Sequence, residues 1–270
     1  MLYVATVHFR TAKWIDVQQR YLRRHIGEPF KTFGALEGIP DEYYGSFDHA
    51  FDTKGIHAGK LNLLASEISA EADPDDIIMF LDGDAFPVAD PMPTIEKGLR
   101  TTSLVAVRRD ENRGDRQPHP CFCAVRVREW DRLRGDWSEG FIWKDDYGKS
   151  VTDVGGNLLR ALERTESEWT PVLRSNRYND HPVWFAVYGD IIYHHGSGFR
   201  RPIARVDEDA HPAYLKGGEL PVVGRVVRKI NAGRWRAWAE VVYLKSERQG
   251  EKWFQLLDRD PDFYRKFTDP

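Results

Sequence analysis

Cysteine, long apolar runs and a dominant charge sign are what this sequence has least of. Only Cys121 and Cys123 occur in 270 residues, which excludes a disulfide-stapled scaffold. Two apart in a strand, they are expected on one face with adjacent backbones, a poor geometry for a bridge. They read as core thiols of a reducing compartment. No window approaches the ~20 apolar residues of a membrane span. Met1 to Arg10 has no basic lead and only a short apolar run, so it does not read as a signal peptide. The expectation is a cytoplasmic protein, peripheral at most to the inner face of a membrane. With 39 basic and 42 acidic side chains the formal charge is −3. No global field recruits nucleic acid, and a phosphate-bearing substrate needs a local group of Lys and Arg instead. Internal repeats and low-complexity linkers are absent too.

What is present is enough apolar residue for a large core, 41% of the chain with 13% aromatic. Its most informative stretch is Ile77-Ile-Met-Phe-Leu-Asp-Gly-Asp-Ala-Phe-Pro87. An unalternated run from Ile77 to Leu81 suits a strand buried on both faces of an α/β sheet. At its carboxyl end stand Asp82 and Asp84, separated by Gly83, whose backbone freedom lets both carboxylates face one point. The carboxyl end of such a strand is where open α/β sheets place ligands. Two oxygen donors that close attract a hard divalent cation, usually shared with substrate phosphates. Isolated D-x-D triplets are more often solvated turns. The buried strand before this one, and Phe86-Pro87 after it as a stop, read as a site.

Around that strand the periodicity predicts a β-strand over 2–9, a helix over 12–26 closed by Gly27, and a strand over 30–36. A polar, aromatic loop over 38–55 and a helix over 58–72 come next. This βαβαβ beginning predicts a parallel, doubly wound sheet with right-handed crossovers. Ligand is then expected over the strand ends, near Thr6, His8 and Asp82 to Asp84. Further on, a helix is predicted over 94–100, strands over 104–109 and 121–127, and a loop-rich, Trp-punctuated region to Asp145-Asp146. A helix over 155–164 follows, with Asp153 just ahead of it as a possible N-cap. Strands over 169–173 and 183–194, a polar helix or helix pair over 233–257 and an extended tail complete the chain.

The second informative stretch is Ile191-Ile-Tyr-His-His-Gly-Ser-Gly-Phe-Arg-Arg-Pro202. Histidine is a common metal ligand, and glycines let backbone approach phosphate closely. Arg200 or Arg201 can pair with phosphate oxygens. By itself the run also fits a capped strand with one core histidine, and which of His194 and His195 is a ligand stays open.

Leu81-Asp-Gly-Asp-Ala85 resembles the D-x-D motif of GT-A-fold nucleotide-sugar glycosyltransferases, which holds Mn²⁺ or Mg²⁺ against the donor diphosphate. His195-Gly-Ser-Gly-Phe-Arg-Arg-Pro202 is similar to the H-x-x-G-x-x-K-P signature of the glycogenin-like and lipopolysaccharide-galactosyltransferase-like retaining families. There the histidine is the third protein ligand of the metal and the lysine touches the diphosphate. By position the resemblance implies Asp82, Asp84 and His195 as metal ligands and Arg201 as a diphosphate contact, an arginine with altered geometry. Lys60 sits where those families often carry a basic donor-binding residue. Asp153-x-x-x-Asn157 is close to their D-Q-D-x-x-N segment, though one residue shorter and without the glutamine. The resemblance spans roughly residues 1 to 202. It implies an α/β, GT-A-like, doubly wound and mostly parallel sheet with helices on both faces over 1–220, with a C-terminal helical extension over 221–270 packed on it. The implied activity is metal-dependent transfer of a sugar from a UDP- or GDP-linked donor to a glycan or lipid-linked hydroxyl acceptor, as in polysaccharide synthesis, leaning to retention.

That chemistry needs stabilised charge on the leaving diphosphate. An inverting reaction also needs a carboxylate base, for which Asp153, Asp145 and Asp146 are candidates. Trp137, Trp143 and Trp184 are candidate acceptor platforms, although loop tryptophans more often pack. Residues 222–238 carry five Lys and Arg with Trp235 and Trp238, which fits a lipid surface or, more simply, a solvated helix. Two other classes stay open. Asp82 and Asp84 resemble the nucleophilic pair of haloacid-dehalogenase-type phosphatases, and a non-catalytic carbohydrate-binding protein needs no convergence of Asp82, Asp84 and histidine.

Overall fold

The computed structural model describes residues 1–111, 114–144, 148, 150–177, 185–196, 230 and 248–268. Residues 1–196 with 261–270 form one compact unit, and 197–260 form another. In the second unit residues 248–259 are helical.

The first unit begins β1 (Leu2–Phe9), α1 (Ile15–His25), β2 (Phe30–Glu37), a 3-10 turn (Asp41–Ser46), β3 (His49–Asp52), α2 (His57–Ser69) and β4 (Ile77–Asp82). It continues through β5 (Ala85–Pro87), α3 (Met92–Leu99), β6 (Leu104–Val107), β7 (His119–Arg126) and α4 (Val127–Leu133). Then come β8 (Trp143–Lys144), β9 (Ser150–Val151), α5 (Gly156–Arg164), β10 (Thr170–Val172), β11 (Ala186–Tyr188) and β12 (Ile192–His194).

The main sheet has seven strands in the order β10-β6-β7-β4-β1-β2-β3. All its pairings are parallel except those of β7, which runs against both β4 and β6. The α/β, mostly parallel sheet expected from the periodicity is therefore present. Its two faces are covered by different helices. Leu61, Leu64 and Ile68 of α2 join Trp130 of α4 and Leu158 and Leu162 of α5 on one face. Leu22 of α1 and Met92, Ile95 and Leu99 of α3 cover the other. Each such side chain taken fully from water contributes about 1.5–3 kcal/mol. The chain steps from β1 to β2 to β3 on one side, then returns to set β4 on the other side of β1. The crevice outside the carboxyl ends of β1 and β4 lies at that reversal, where open α/β sheets bind ligands.

Several expectations are corrected. The predicted loop over 38–55 contains the 3-10 turn and the edge strand β3, whose half-exposed residues show no apolar alternation. The seven-residue α4 stands where a strand end and a loop-rich region are expected, being too short to display a helical period. Phe86-Pro87 does not end strand structure. Both lie in β5, which leaves the main sheet for a three-stranded one, β11-β12-β5. A register shift opposite Ala106 and Val107 bulges β7. Cys121 therefore packs with Phe122 and Ala124 on one face, while Cys123 packs with Val125 on the other. Both thiols are buried and free. The tail is not extended: Phe263–Phe267 is a 3-10 turn whose Phe267 ring lies 5.9 Å from Tyr193.

Candidate metal centre

Asp82 closes β4 opposite Val7 of β1, so its carboxylate stands at the carboxyl edge of two central strands. Gly83 is there for room rather than for backbone angle, since its φ is not in the positive region. A Cβ at this position would lie 2.5 Å from the carbonyl oxygen of Val7 and 2.8 Å from His8 Nδ1. The close approach of the turn to β1 lets the chain pass straight into β5, with Asp84 at its head.

β5 pairs antiparallel with β12, Ala85 opposite His194, and His195 N–H donates to the Asp84 carbonyl at 3.0 Å. Neighbouring strand residues point to opposite faces, so only one of the two histidines can face the carboxylates. It is His194. Asp82, Asp84 and His194 each offer a ligand atom within 4.8 Å of the others. His194 Nε2 lies 3.5 Å from both Asp82 Oδ2 and Asp84 Oδ1. Burial works against a charged imidazolium here, but the neighbouring Cys121 and Asp84 outweigh it and hold His194 well above the usual histidine value.

His195, the ligand implied by the resemblance, turns the other way. Its Nδ1 is 3.0 Å from the Tyr193 hydroxyl, and its ring packs tilted at 4.5 Å from Trp14 and edge-on at 4.7 Å from Phe185. Burial lowers its pKa to about 3, against the pull of Asp84.

Two residues not singled out from the sequence join the site. His57, at the front of α2, has Nε2 3.1 Å from Asp82 Oδ1, without hydrogen-bond alignment. Nothing in its sequence context signals this, because the contact spans the α2–β4 connection. Gln18 of α1 is wholly buried beneath the turn. A readable signal did exist for it: a polar amide inside the apolar stripe of Ile15, Tyr21 and Leu22.

The remaining candidates are more dispersed. His8 is buried and 3.1 Å from Gln18 Oε1, and burial lowers its pKa to about 4 despite Gln18 and Asp84. Thr6 is fully buried and its hydroxyl has no hydrogen-bond partner. Lys60 Nζ pairs with Glu37 at 2.5 Å and lies 4.8 Å over the Phe9 ring. Asp153 does not cap α5, whose N-cap is Gly155. Its Oδ2 instead meets Arg109 at 3.1 Å, beside Asp115 at 2.7 Å. Asn157 donates to Asp136 at 2.8 Å. Burial raises the Asp136 carboxyl, but hydrogen bonds from Ser138, Asn157 and Asn62 hold it below the usual value. Trp137 and Trp143 are packing residues, buried at 0% and 5% exposure, and offer no open face. Asp145, Asp146, Trp184, Arg200 and Arg201, with residues 233–247 of the helix expected over 233–257, lie outside the described residues.

No family model matches the chain, and no curated protein matches it. Among solved structures it is similar to the glycosyltransferase GlyE of Streptococcus pneumoniae, at 18% identity and a TM-score of 0.36 over 49% of this chain and 37% of that one. The mannosyltransferase PcManGT of Pyrobaculum calidifontis, in complex with GDP-Man and Mn²⁺, matches at 15% identity and 0.38, over 51% and 47% respectively. An active-site mutant of LgtC matches at 12% identity and 0.39, over 64% and 72%. The chain thus spans less than half the length of the first two. The overlap is one of elements only, and the site rests on its own geometry. Among the described residues, no helix is long and apolar enough to cross a membrane.

Proposed function

We propose that this protein is a metal-dependent glycosyltransferase, moving a sugar from a nucleoside-diphosphate donor to a hydroxyl acceptor. The observation that carries the reading is the convergence of Asp82, Asp84 and His194 at the carboxyl edge of β4. A non-catalytic carbohydrate-binding fold has no need of it.

Two carboxylates and one imidazole make a hard, mixed oxygen and nitrogen donor set, which suits Mn²⁺ or Mg²⁺. His194 Nε2 faces both carboxylates from 3.5 Å, close enough for the three groups to share one small cation in place of the imidazole proton. Bound there, the ion supplies positive charge where a leaving diphosphate develops negative charge. The chain's own residues do the rest. Asp82 and Asp84 set where the cation, and so the diphosphate, can lie. The N-cap of α2, Ile56, makes no side-chain cap hydrogen bond, so the first-turn N–H groups beside His57 are candidate donors for phosphate oxygens. His57, on its first turn, already meets Asp82 and stands at the same edge as a candidate hydrogen-bond partner for a phosphate oxygen.

Asp153 is committed to the Arg109 guanidinium. A retaining transfer, in which the departing phosphate takes the acceptor proton, requires no free carboxylate base, and the reading leans to it on the resemblance of the D-x-D and histidine stretches. Lys60, held by Glu37, would have to exchange that partner to reach a phosphate.

Thermal melting against a panel of nucleotide sugars, with and without Mn²⁺, tests the reading. A rise with one nucleoside diphosphate that depends on Mn²⁺ supports it and identifies the base. A rise with fluoroberyllate and none with any nucleotide would replace it by the phosphatase.

A further inference from the structure

The D-x-D turn is held from beneath by a residue that no sequence motif marks. Gln18 lies on the buried face of α1 at 0% exposure, where an aliphatic side chain is the ordinary occupant. Its Nε2 donates to the Asp82 carbonyl at 2.9 Å and to the Ala85 carbonyl at 2.7 Å. Its Oε1 is 3.1 Å from His8 Nε2. Because an amide oxygen only accepts, His8 must carry its proton on Nε2, which leaves Nδ1 bare on the side of Gly83. One carboxamide thereby joins three elements: α1, the end of β1, and both ends of the four-residue turn that carries Asp82 and Asp84. The two carbonyls it grips bracket the two carboxylates.

We infer that Gln18 is a positioning residue, holding the Asp82–Ala85 turn in the one conformation that aims both carboxylates at His194. The inference rests on reading that cluster as a cation site. A ligand pair fixed before the ion arrives binds more tightly than one ordered by it, and residues that orient metal ligands typically account for about 10–100-fold in affinity.

The test uses the full chain with Mn²⁺ as the probe. Free Mn²⁺ is followed by electron paramagnetic resonance, at a temperature where each variant is folded by circular dichroism. Gln18→Met, of similar length and without hydrogen bonds, is expected to weaken Mn²⁺ binding by about tenfold or more. Gln18→Glu keeps the acceptor for His8 and removes both donors, and should weaken it comparably. It also serves if Gln18→Met does not fold. Ile95→Ala, a core truncation in α3, should lower the melting temperature and leave the Mn²⁺ affinity of the folded protein unchanged, which separates positioning from general support. Wild-type affinity in the folded Gln18 variants would overturn the inference alone. Absence of Mn²⁺ binding by the unaltered protein would overturn the cation site and the inference with it.

Discussion

Two carboxylate groups follow neighbouring segments at the same edge of the sheet, and they are completed in opposite ways. Asp82 and Asp84, at the end of β4, have imidazoles as partners, His194 at 3.5 Å and His57 at 3.1 Å. Asp115 and Asp153, beyond β6, close on Arg109 at 2.7 and 3.1 Å, a guanidinium whose pKa burial alone would lower but which the two carboxylates raise. An imidazole gives up its proton and becomes a metal ligand, whereas a guanidinium holds its charge at any accessible pH. The first group can exchange its protons for a cation. The second is already paired with a permanent cation and ties the loop after β6 to the loop before α5. Partner chemistry separates a site from a strut here, although both are acidic and both stand at a strand end.

The largest effect that would sharpen this contrast is expected at Asp84. Asp84→Asn should abolish metal-dependent donor binding, with a loss in Mn²⁺ affinity of about 100-fold or more and little change in stability, read by calorimetric titration and thermal melting. Normal Mn²⁺ binding by this variant would dissolve the distinction. Arg109→Met should do the reverse. Stranding two carboxylates is expected to cost about 3 kcal/mol in urea unfolding while the folded protein keeps its Mn²⁺ affinity.

The adjacent histidines give the next test. His194→Gln should weaken Mn²⁺ binding by about 10-fold or more, and His195→Gln by less than about 3-fold. The opposite order would mean that β12 turns its other face to the carboxylates. Gly83→Ala forces a Cβ against the Val7 carbonyl, 2.5 Å away in the unaltered turn. It should cost about 1–3 kcal/mol and weaken Mn²⁺ binding together, since stability and site share that contact.

The most distributed effect is the pH dependence of stability. His8 and His195 titrate at about 4 and about 3 in the fold, below the ordinary value. The unfolded chain therefore binds more protons than the folded one from about pH 6.5 downward, and stability should fall as pH drops through that window. Each group contributes at most about 1.4 kcal/mol per pH unit. His194 has the opposite sign: raised in the fold, it favours the folded state below its unfolded value and loses that contribution as pH rises through its folded one. Denaturant unfolding between pH 4.5 and 7.5 should show a net rise with pH that is shallower in His195→Gln. An unchanged slope would mean that His195 is not held neutral by burial.

Much of this was legible from residues alone where a signal is local. The strand from Ile77, the acidic pair at its end and the apolar stripes of α1 and α2 follow from side-chain period. Elements too short or too exposed to carry a period were not legible, namely β3 at the sheet edge and α4 with seven residues. The placement of Cys121 and Cys123 on opposite faces was hidden for another reason, because a bulge in β7 breaks the strict alternation on which that reading depends.

The site divides along the same line. The sequence determined that two carboxylates stand together after a buried strand and that a histidine pair ends a later one, because covalent neighbours stay near one another whatever the fold does. Only the tertiary structure decided that His194 rather than His195 meets the carboxylates, that Asp153 answers to Arg109, and that Gln18 and His8 support the turn. The first and last of those choices come from the pairing of β12 with β5 and from the seating of α1 beneath the β4–β5 turn. Such contacts join segments more than sixty residues apart, and shifting β12 by one residue would exchange the roles of the two histidines.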